Sequence, residues 1–281
     1  MSHNPHSRMK PGDEFKFAII TALDEEFSAV RRALPGGMVK TISDIPFKSA
    51  VCSFTSDDTV IHGEMFQPHD TGRVEAAVLA GYIFARRRYK YVLLVGVAGG
   101  FATGKSQFSN NPISLGDVVF ASEIIDAEFQ KITQYGPEYR DRRANIPNGV
   151  VNQYIDYIKL VNSQKLSHTN GFHDGRRYNL HVGSVISGSK IVASKQAQKE
   201  IAGRAQGILP AAVEMEGIAV AIANFRLNPG SGFAMIRGIS DFADENKNVD
   251  EVNWRKVACQ HAAETAVDFL MYVAKDNNWE Y

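Results

Sequence analysis

The sequence has few cysteines, no long apolar run and no excess of charge of either sign. Its two cysteines, Cys52 and Cys259, lie far apart and outside any Cys-x-x-Cys pair. This excludes a metal cage built from cysteines alone and favours two reduced thiols in a core. The apolar runs stay well below the roughly 18 residues that a membrane-spanning helix needs. Because 31 basic side chains balance 31 acidic ones, the overall charge gives no reason to expect nucleic acid or an anionic membrane as a partner.

Phosphate-binding fingerprints and metal-binding patterns are also missing. The glycine-rich segment at residues 96–100 reads Gly-Val-Ala-Gly-Gly. It is neither the GxGxxG motif of dinucleotide-binding folds nor the GxxxxGK loop of NTPases. The 8 histidines are scattered along the chain without the spacing of zinc ligands. We therefore expect neither a cofactor nor a metal ion.

The length and composition of the chain are those of an ordinary globular protein. Its 281 residues, 44% of them hydrophobic, can bury a large core without disulfides. Residues 1–14 are polar and lack the apolar segment of a signal peptide, so we expect a disordered lead-in there. Residues 15–281 show no internal repeat and no linker, which predicts a single domain. We expect a cytoplasmic protein.

Apolar runs with the length of strands alternate with segments of helical spacing. Residues 91–97 form a continuous apolar run, typical of a central strand that is covered on both faces. The alternation predicts an α/β fold, a three-layer α/β/α sandwich with a mixed, mostly parallel central sheet. Further strands are predicted at 15–23, 41–60, 60–66, 115–125, 180–186, 211–213 and 232–239, helices at 25–34, 71–86, 150–166, 196–205, 215–225 and 252–273, and a long loop at 135–148.

Polar side chains follow two of these strands, at the edge of a parallel sheet where ligands bind. Glu214 and Glu216 follow one strand, and Arg237, Ser240 and Asp241 end another. A carboxylate can accept two hydrogen bonds side by side, which matches the adjacent hydroxyls of a ribose. An aspartic acid shielded from water can keep a proton for a departing base. The structural alternative is that these acids cap helix starts and turns.

The charged residues Glu26, Arg237 and Asp244 can also be interpreted from their positions in the sequence. Glu26 follows the first predicted strand, either as an ordinary helix acid or as a base that polarises an attacking water. Arg237 lies within an apolar strand and therefore needs a partner, which we expect to be a carboxylate or an anionic ligand. Asp244 is interpreted as a cap or loop residue rather than a catalytic one.

Taken in order, these segments make the chain similar to the purine nucleoside phosphorylase and methylthioadenosine/S-adenosylhomocysteine nucleosidase superfamily. The resemblance runs from Phe17 to about Val273, nearly the whole chain. Six motifs carry it: IITALDEE at 19–26, GVAGG at 96–100, LGDVV at 115–119, SG at 187–188, VEMEG at 213–217 and RGISD at 237–241.

The resemblance implies a role for each matched residue. Glu26 would activate water, Glu216 would hold the ribose hydroxyls, and Asp241 would be the acid for purine N7. Met215 would lie beneath the sugar, while Ile191 and Val192 would cover the base. The implied substrate-binding set is Glu216, Met215, Glu214, Ser240, Arg237, Val97, Ala98, Gly99, Ile191 and Val192.

Departures from the superfamily pattern bear on the reaction. Phosphorylases hold phosphate with arginines and a serine near the glycine motif, where this chain has Leu94 and Val97. A phosphate nucleophile would lack its binding groups, so the resemblance favours hydrolysis. The third residue of the SGD motif is Ser189 rather than aspartate, which puts the details of base recognition in doubt.

The segment after Ile125 departs most from the compact nucleosidases. It looks more like the nucleosidase domains of bacterial and eukaryotic defence proteins, some of which cleave ATP. Its basic side chains would hold 5′-phosphates through charge-assisted bonds, or they belong to a solvated charged loop. The candidates are Lys131, Arg140, Arg142 and Arg143.

We therefore interpret the chain as a hydrolase that cleaves the N-ribosidic bond of a purine nucleoside or nucleotide, with ATP in a defence role among the candidate substrates. Alternatives are a methylthioadenosine/S-adenosylhomocysteine nucleosidase, a purine nucleoside phosphorylase and a non-catalytic module that senses a nucleoside. The expected partners are the small-molecule substrate and further copies of the same chain, as a dimer or hexamer.

Overall fold

The computed structural model describes residues 15–35, 40–41, 45–56, 59–104, 106, 111–163, 172–173, 176–245 and 253–276. The predicted lead-in at 1–14 lies outside these residues. The strands are β1 Phe17–Ile20, β2 Lys40–Thr41, β3 Lys48–Ser56, β4 Thr59–Gln67, β5 Tyr91–Gly100, β6 Val118–Asp126, β7 Gln130–Thr133, β8 Gly136–Tyr139, β9 Arg143–Asn145, β10 Phe172–His173, β11 Arg176–Arg177, β12 Leu180–Ser187, β13 Ala212–Glu214 and β14 Gly232–Asp241. The helices are α1 Asp24–Ala33, α2 Arg73–Arg86, α3 Asn148–Asn162, α4 Lys195–Gly203, α5 Gly217–Leu227 and α6 Trp254–Asp276.

The strands at the centre of the sheet are buried on both faces. All four residues of β1 are buried, as are nine of the ten residues of β5. Such strands read in the sequence as continuous apolar runs, because helices cover both sides of the sheet. The strands predicted from these runs are confirmed, with ends shifted by a few residues.

The sheet closes on itself over part of its width. Its strand order is β13-β12-β6-β14-β5-β1-β4-β3-β2, and β13 pairs again with β5. Five strands thus form a closed, barrel-like ring, while β1, β4, β3 and β2 extend from it as an open sheet. The α/β class is correct, but a simple three-layer sandwich is not the architecture, because β13 lies beside both β12 and β5.

The sheet is mixed, and its two directions are more evenly balanced than predicted. Parallel pairs join β1 to β4 and β5, β12 to β6 and β13, and β14 to β5. Antiparallel pairs join β14 to β6, β13 to β5, β6 to β9, and β3 to β2 and β4. The prediction of a mostly parallel sheet holds for the pairings of β1 and β12 and fails at these antiparallel contacts.

The predicted loop at residues 135–148 is wrong. Strands β7 and β8 form an antiparallel hairpin, and β9 pairs with β6. The hairpin is largely exposed, so its residues need no apolar pattern, and the sequence gives little sign of these strands. Among the helices described, none is long and apolar enough to cross a membrane.

Candidate active site

A cavity of about 720 Å³ opens where several strands of the sheet end. The ends of β1, β5, β13 and β14 deliver residues to it, as expected for the carboxyl edge of such a sheet. Eleven of the twelve predicted catalytic and substrate-binding residues line it. They are Glu26, Val97, Ala98, Gly99, Ile191, Val192, Glu214, Met215, Glu216, Ser240 and Asp241. The twelfth, Arg237, is fully buried beneath the cavity and touches its carboxylates.

Glu26 is buried in the first turn of α1. Its Oε2 accepts hydrogen bonds from the backbone N–H groups of Ala22 and Leu23, at 2.8 and 3.0 Å, and its Oε1 accepts one from Val97 at 2.8 Å. Burial raises the pKa of Glu26, although Arg237 and the three N–H groups oppose the shift. A carboxylate fixed in this way, with a raised pKa, has the character of a general base.

The buried guanidinium of Arg237 is paired with carboxylates. Its Nη2 donates to Glu214 and lies 3.5 Å from Glu216 Oε2. Burial alone would lower the pKa of Arg237, but Glu214, Glu216 and Glu26 together raise it. The sequence predicted a carboxylate or an anionic ligand beside Arg237, and the structure shows the carboxylate. The positive charge of this guanidinium interacts with Glu214, Glu216 and Glu26.

Gly96 provides room for this cluster rather than for a ligand. A methyl group at this position would collide with Glu26 Oε1 and Arg237 Nη1. Gly99, further along the same strand, has a comparable role, since an added methyl would lie 2.9 Å from the side chain of Ala243. The glycine motif therefore lets catalytic candidates from three segments approach the end of β5.

Glu214 is occupied by structural contacts. Its Oε2 accepts from the N–H groups of Glu216 and Gly217, at 3.0 and 2.9 Å, at the start of α5. The same oxygen receives the guanidinium of Arg237. This is the helix-start role that the sequence offered as an alternative, and it leaves Glu214 little capacity for a ligand.

Glu216 has more capacity than Glu214 to accept hydrogen bonds from a ligand. Its Oε1 accepts the N–H of Gly72 at 2.8 Å, and its Oε2 lies 3.5 Å from Nη2 of Arg237. Burial and the neighbouring Glu214 carboxylate raise the pKa of Glu216 to about 7, against the effects of Arg237 and Gly72. Met215 lies beside it on the cavity wall, near the backbone of Gly72.

Asp241 is held at the end of β14. Its Oδ1 accepts the N–H of Ala243 at 2.8 Å, and its Oδ2 accepts the hydroxyl of Ser240 at 2.9 Å. The Ser240 hydroxyl also lies 3.3 Å from the carbonyl oxygen of Ala98. Ala243 adopts a positive φ of 54°, a strained backbone that turns the chain back over Asp241. Asp241 is thus fixed in the cavity wall at the strand end.

The segment predicted to cover the base borders the opposite wall. Ile191 is 72% exposed, whereas Val192 is buried. The segment is tied down by the N–H of Ser189, which donates to Glu128 Oε1 at 3.1 Å. An exposed apolar side chain at a cavity mouth suits contact with a flat aromatic ligand.

Several lining residues were not selected from the sequence. Thr71 and Leu115 contribute from loops, and Trp254 and Arg255 contribute from the start of α6. Gly72 was also missed, although its N–H holds Glu216. Thr71, Trp254 and Arg255 belong to none of the six motifs, and Leu115 belongs to the LGDVV motif but had no role in the predicted site. The signal for Gly72 is its residue type, since its φ of 99° favours glycine.

The four predicted phosphate-binding residues lie away from the cavity lining. Arg142 pairs with Asp126 and stacks on Phe129, and Arg143 pairs with Glu123 and Asp141. Lys131 and Arg140 are exposed on the hairpin side of the molecule. Their role in phosphate binding stays a prediction without support from this geometry. Within the described ranges, no group of three or more His, Cys, Asp or Glu side chains is arranged to hold a metal ion.

The fold and the site together define a class of protein. A model of the phosphorylase superfamily matches residues 16–271, and the chain belongs to this superfamily.

The chain is also similar to individual proteins of this superfamily. The chain is 24% identical over 257 residues to the 5′-methylthioadenosine/S-adenosylhomocysteine nucleosidase of Bacillus subtilis, covering 91% of this chain and 98% of that protein. Its structure is similar to that of the nucleosidase of the same name from Neisseria meningitidis in complex with methylthio-immucillin-A, with a TM-score of 0.67, 21% identity and coverage of 93% and 99%. Futalosine hydrolase of Helicobacter pylori also shares the fold, with a TM-score of 0.64, 19% identity and coverage of 93% and 97%.

Proposed function

We propose that this protein hydrolyses the N-ribosidic bond of an adenine nucleoside and releases the free base. One observation carries the proposal: Glu26, Glu216 and Asp241 reach one cavity from three different segments, each fixed by backbone N–H groups. Three acids in distinct environments match the three tasks of the reaction, namely activating water, holding the sugar and assisting the leaving base. A non-catalytic sensor would not need all three.

The reaction follows from these positions. Glu26 takes a proton from a water that attacks the anomeric carbon, while the C–N bond to the base breaks through an oxocarbenium-like transition state. Asp241 supplies a hydrogen bond or a proton to N7, so that the base leaves without a full negative charge. Glu216 holds the 2′ and 3′ hydroxyls, with Met215 beneath the sugar.

Water is the better nucleophile for this site. Leu94 is buried in the core, and Val97 offers an apolar side chain with its N–H already bonded to Glu26. The carboxylates of Glu26, Glu214 and Glu216 share the single guanidinium of Arg237. This guanidinium is therefore already engaged and is not available to a phosphate dianion, whereas neutral water needs no such cation.

The substrate that we favour is a nucleoside such as methylthioadenosine, the molecule named in the curated relatives. The cavity wall carries several carboxylates, and among its described residues the cations are Lys190 and Arg255. An ATP triphosphate therefore has less support than a neutral 5′ substituent.

The test is an assay of free base after incubation with methylthioadenosine, S-adenosylhomocysteine, adenosine, AMP and ATP, each with and without inorganic phosphate. We expect adenine from the uncharged nucleosides at a rate that phosphate does not change. Ribose 1-phosphate formation would instead identify a phosphorylase, and preferential cleavage of ATP would restore the nucleotide interpretation. No base from any substrate would refute the proposed function.

We also propose that the protein forms homo-oligomers. Apolar side chains are exposed on α2, where Val74 and Val78 are 70% and 54% accessible, and on the β7–β8 hairpin, where Ile132 and Tyr135 are 71% and 91% accessible. Large exposed apolar groups of this kind are typical of interfaces. Light scattering should give at least twice the 31.0 kDa mass of one chain, and a strictly monomeric mass would contradict the proposal.

A further inference from the structure

Asp126, at the end of β6, is the centre of a buried network that the proposed reaction does not use. Its side chain is fully enclosed. Its Oδ1 accepts the N–H of Glu128 and the Nη2 of Arg73, both at 2.9 Å. Its Oδ2 accepts the Nε and Nη2 of Arg142, at 2.8 and 2.6 Å. A buried carboxylate with two arginines is firmly held and holds both of them.

Arg73 connects this network to the cavity. It is the first residue of α2 and follows Gly72 directly. The N–H of Gly72 donates to Glu216 Oε1 at 2.8 Å, and the φ of Gly72 is 99°. A shift of Arg73 would therefore move an amide whose direction is set by an unusual backbone conformation. Asp126 itself is absent from the cavity lining among the described residues.

The Gly72 amide fixes one oxygen of Glu216 and so determines where the other one points. Within the part of the chain that the structure describes, the cation nearest to Oε2 is Arg237 Nη2, at 3.5 Å. Adjacent hydroxyls of a ribose need both acceptor positions in a defined orientation, because hydrogen bonds weaken steeply away from linear geometry. Rotation of this carboxylate would weaken its bonds to the sugar more than its contacts elsewhere.

We propose that Asp126 is a positioning residue for the Glu216 carboxylate, acting through Arg73 and the Gly72 amide, and that this network sets the preference for ribose over 2′-deoxyribose. This inference rests on the proposed function. Asp126 has no contact with the reacting atoms; it controls how well Glu216 recognises the sugar. The nearby bond from Ser189 to Glu128 Oε1, at 3.1 Å, ties the base-covering segment to the same turn.

The test compares kcat/KM for methylthioadenosine and its 2′-deoxy analogue in purified wild-type protein and in Asp126→Asn and Arg73→Gln. We expect the wild-type preference for the ribonucleoside to fall about tenfold in both variants, the equivalent of one weakened hydrogen bond to a charged group. Glu75→Gln is the matched control, since Glu75 lies in the same helical turn of α2 as Arg73, and the preference of this variant should equal that of wild type.

A second comparison separates positioning from general stability. Arg142→Gln removes the other arginine from Asp126 but leaves the Arg73 side of the network intact. It should lower the melting temperature without changing the ribose preference. If Asp126→Asn is poorly folded, Arg73→Gln decides the matter, because the Arg73 side chain is 23% exposed whereas that of Asp126 is fully enclosed.

Each outcome has one meaning. An unchanged ribose preference in folded Arg73→Gln would overturn the positioning role, and so would an equal loss of this preference in Arg142→Gln. In either case, base release by the wild-type protein would leave the proposed function in place. Absence of base release from wild type with either substrate would overturn the proposed function and this inference with it.

Discussion

At the scale of single residues, the candidate site separates acids by their hydrogen-bond partners. Glu214 and Glu216 are two positions apart in the sequence, yet Glu214 binds the start of α5 and Arg237. Glu216, which lines the cavity, has one oxygen whose contact with Arg237 is as long as 3.5 Å. The sequence shows two similar carboxylates, and only the direction of the neighbouring N–H groups distinguishes them.

Replacement of Asp241 tests the leaving-group role. Asp241→Asn keeps the size of the side chain but removes its acidity, so kcat should fall by about 10²- to 10⁴-fold, the usual contribution of a general acid. Base release under saturating nucleoside measures this loss. Asp244→Asn is the matched control, with an expected change of only a few fold. Turnover near the wild-type rate in folded Asp241→Asn would remove Asp241 from the mechanism.

The buried Glu216 predicts a pH dependence of stability. Its pKa is raised to about 7 by burial and Glu214, so the folded state favours the protonated form. This contribution is fully present below the unfolded-state pKa and is lost as pH rises through about 7. Glu216→Gln should therefore gain in melting temperature relative to wild type between pH 5 and pH 8. The expected gain is a few degrees, since 1 kcal/mol corresponds to about 2–4 °C at this size. A difference that stays constant across this range would contradict the raised pKa.

At the scale of elements, the end of β5 is a meeting point for α1 and β14. Gly96 allows Glu26 and Arg237 to approach across the strand. Gly96→Ala should destabilise the protein by about 1–3 kcal/mol, as overpacking typically does, and should reduce turnover because Glu26 must move. Denaturant unfolding and base release measure the two effects.

Gly81→Ala is the control for this change. It lies in α2, where an added methyl meets no atom within 4 Å, so stability should be maintained or improved by up to about 1 kcal/mol. If Gly96→Ala and Gly81→Ala had the same stability and turnover, the close approach at Gly96 would not restrict the residue at this position.

The β7–β8 hairpin provides a test of the nucleotide interpretation. Combined replacement of Lys131 and Arg140 by glutamine removes exposed charges that have no place in the cavity lining described. We expect cleavage of methylthioadenosine to stay within about twofold of wild type, because surface charges away from a site contribute little. A selective loss of activity toward ATP or AMP would show that these residues reach the 5′-phosphates.

At the scale of the whole molecule, the sequence predicted what depends on local pattern and motif. The apolar runs gave the strands β1, β5, β6, β12, β13 and β14, and Glu26, Glu216 and Asp241 were selected by their position after such runs. Pairings between distant segments have no local signature. The second pairing of β13 with β5, and the bond from Gly72 to Glu216, join residues more than a hundred positions apart.

The basic side chains also show that contacts between distant segments cannot be predicted from local sequence. The resemblance of the segment after Ile125 to defence nucleosidases marked Arg142 and Arg143 as candidate ligands for phosphate, but each of them forms ion pairs with nearby carboxylates. Whether a basic residue binds a ligand or an internal acid depends on which acids the fold brings beside it. In this chain those acids, Asp126 and Glu123, belong to β6. The apolar pattern of that strand predicts burial but does not indicate which arginines its acids will bind.

The short strand β13 has a consequence for the order of folding. Its Val213 pairs with Gly99 of β5 and with Ile186 of β12, so it joins the ring only after two remote strands have come together. Non-local pairings form late, because loop closure must precede the contacts that stabilise it. The segment that carries Glu216 is therefore among the last to reach its native place. During refolding, recovery of activity should lag behind recovery of helical structure, which makes the enzyme's own reaction a sensor of the final step of its assembly.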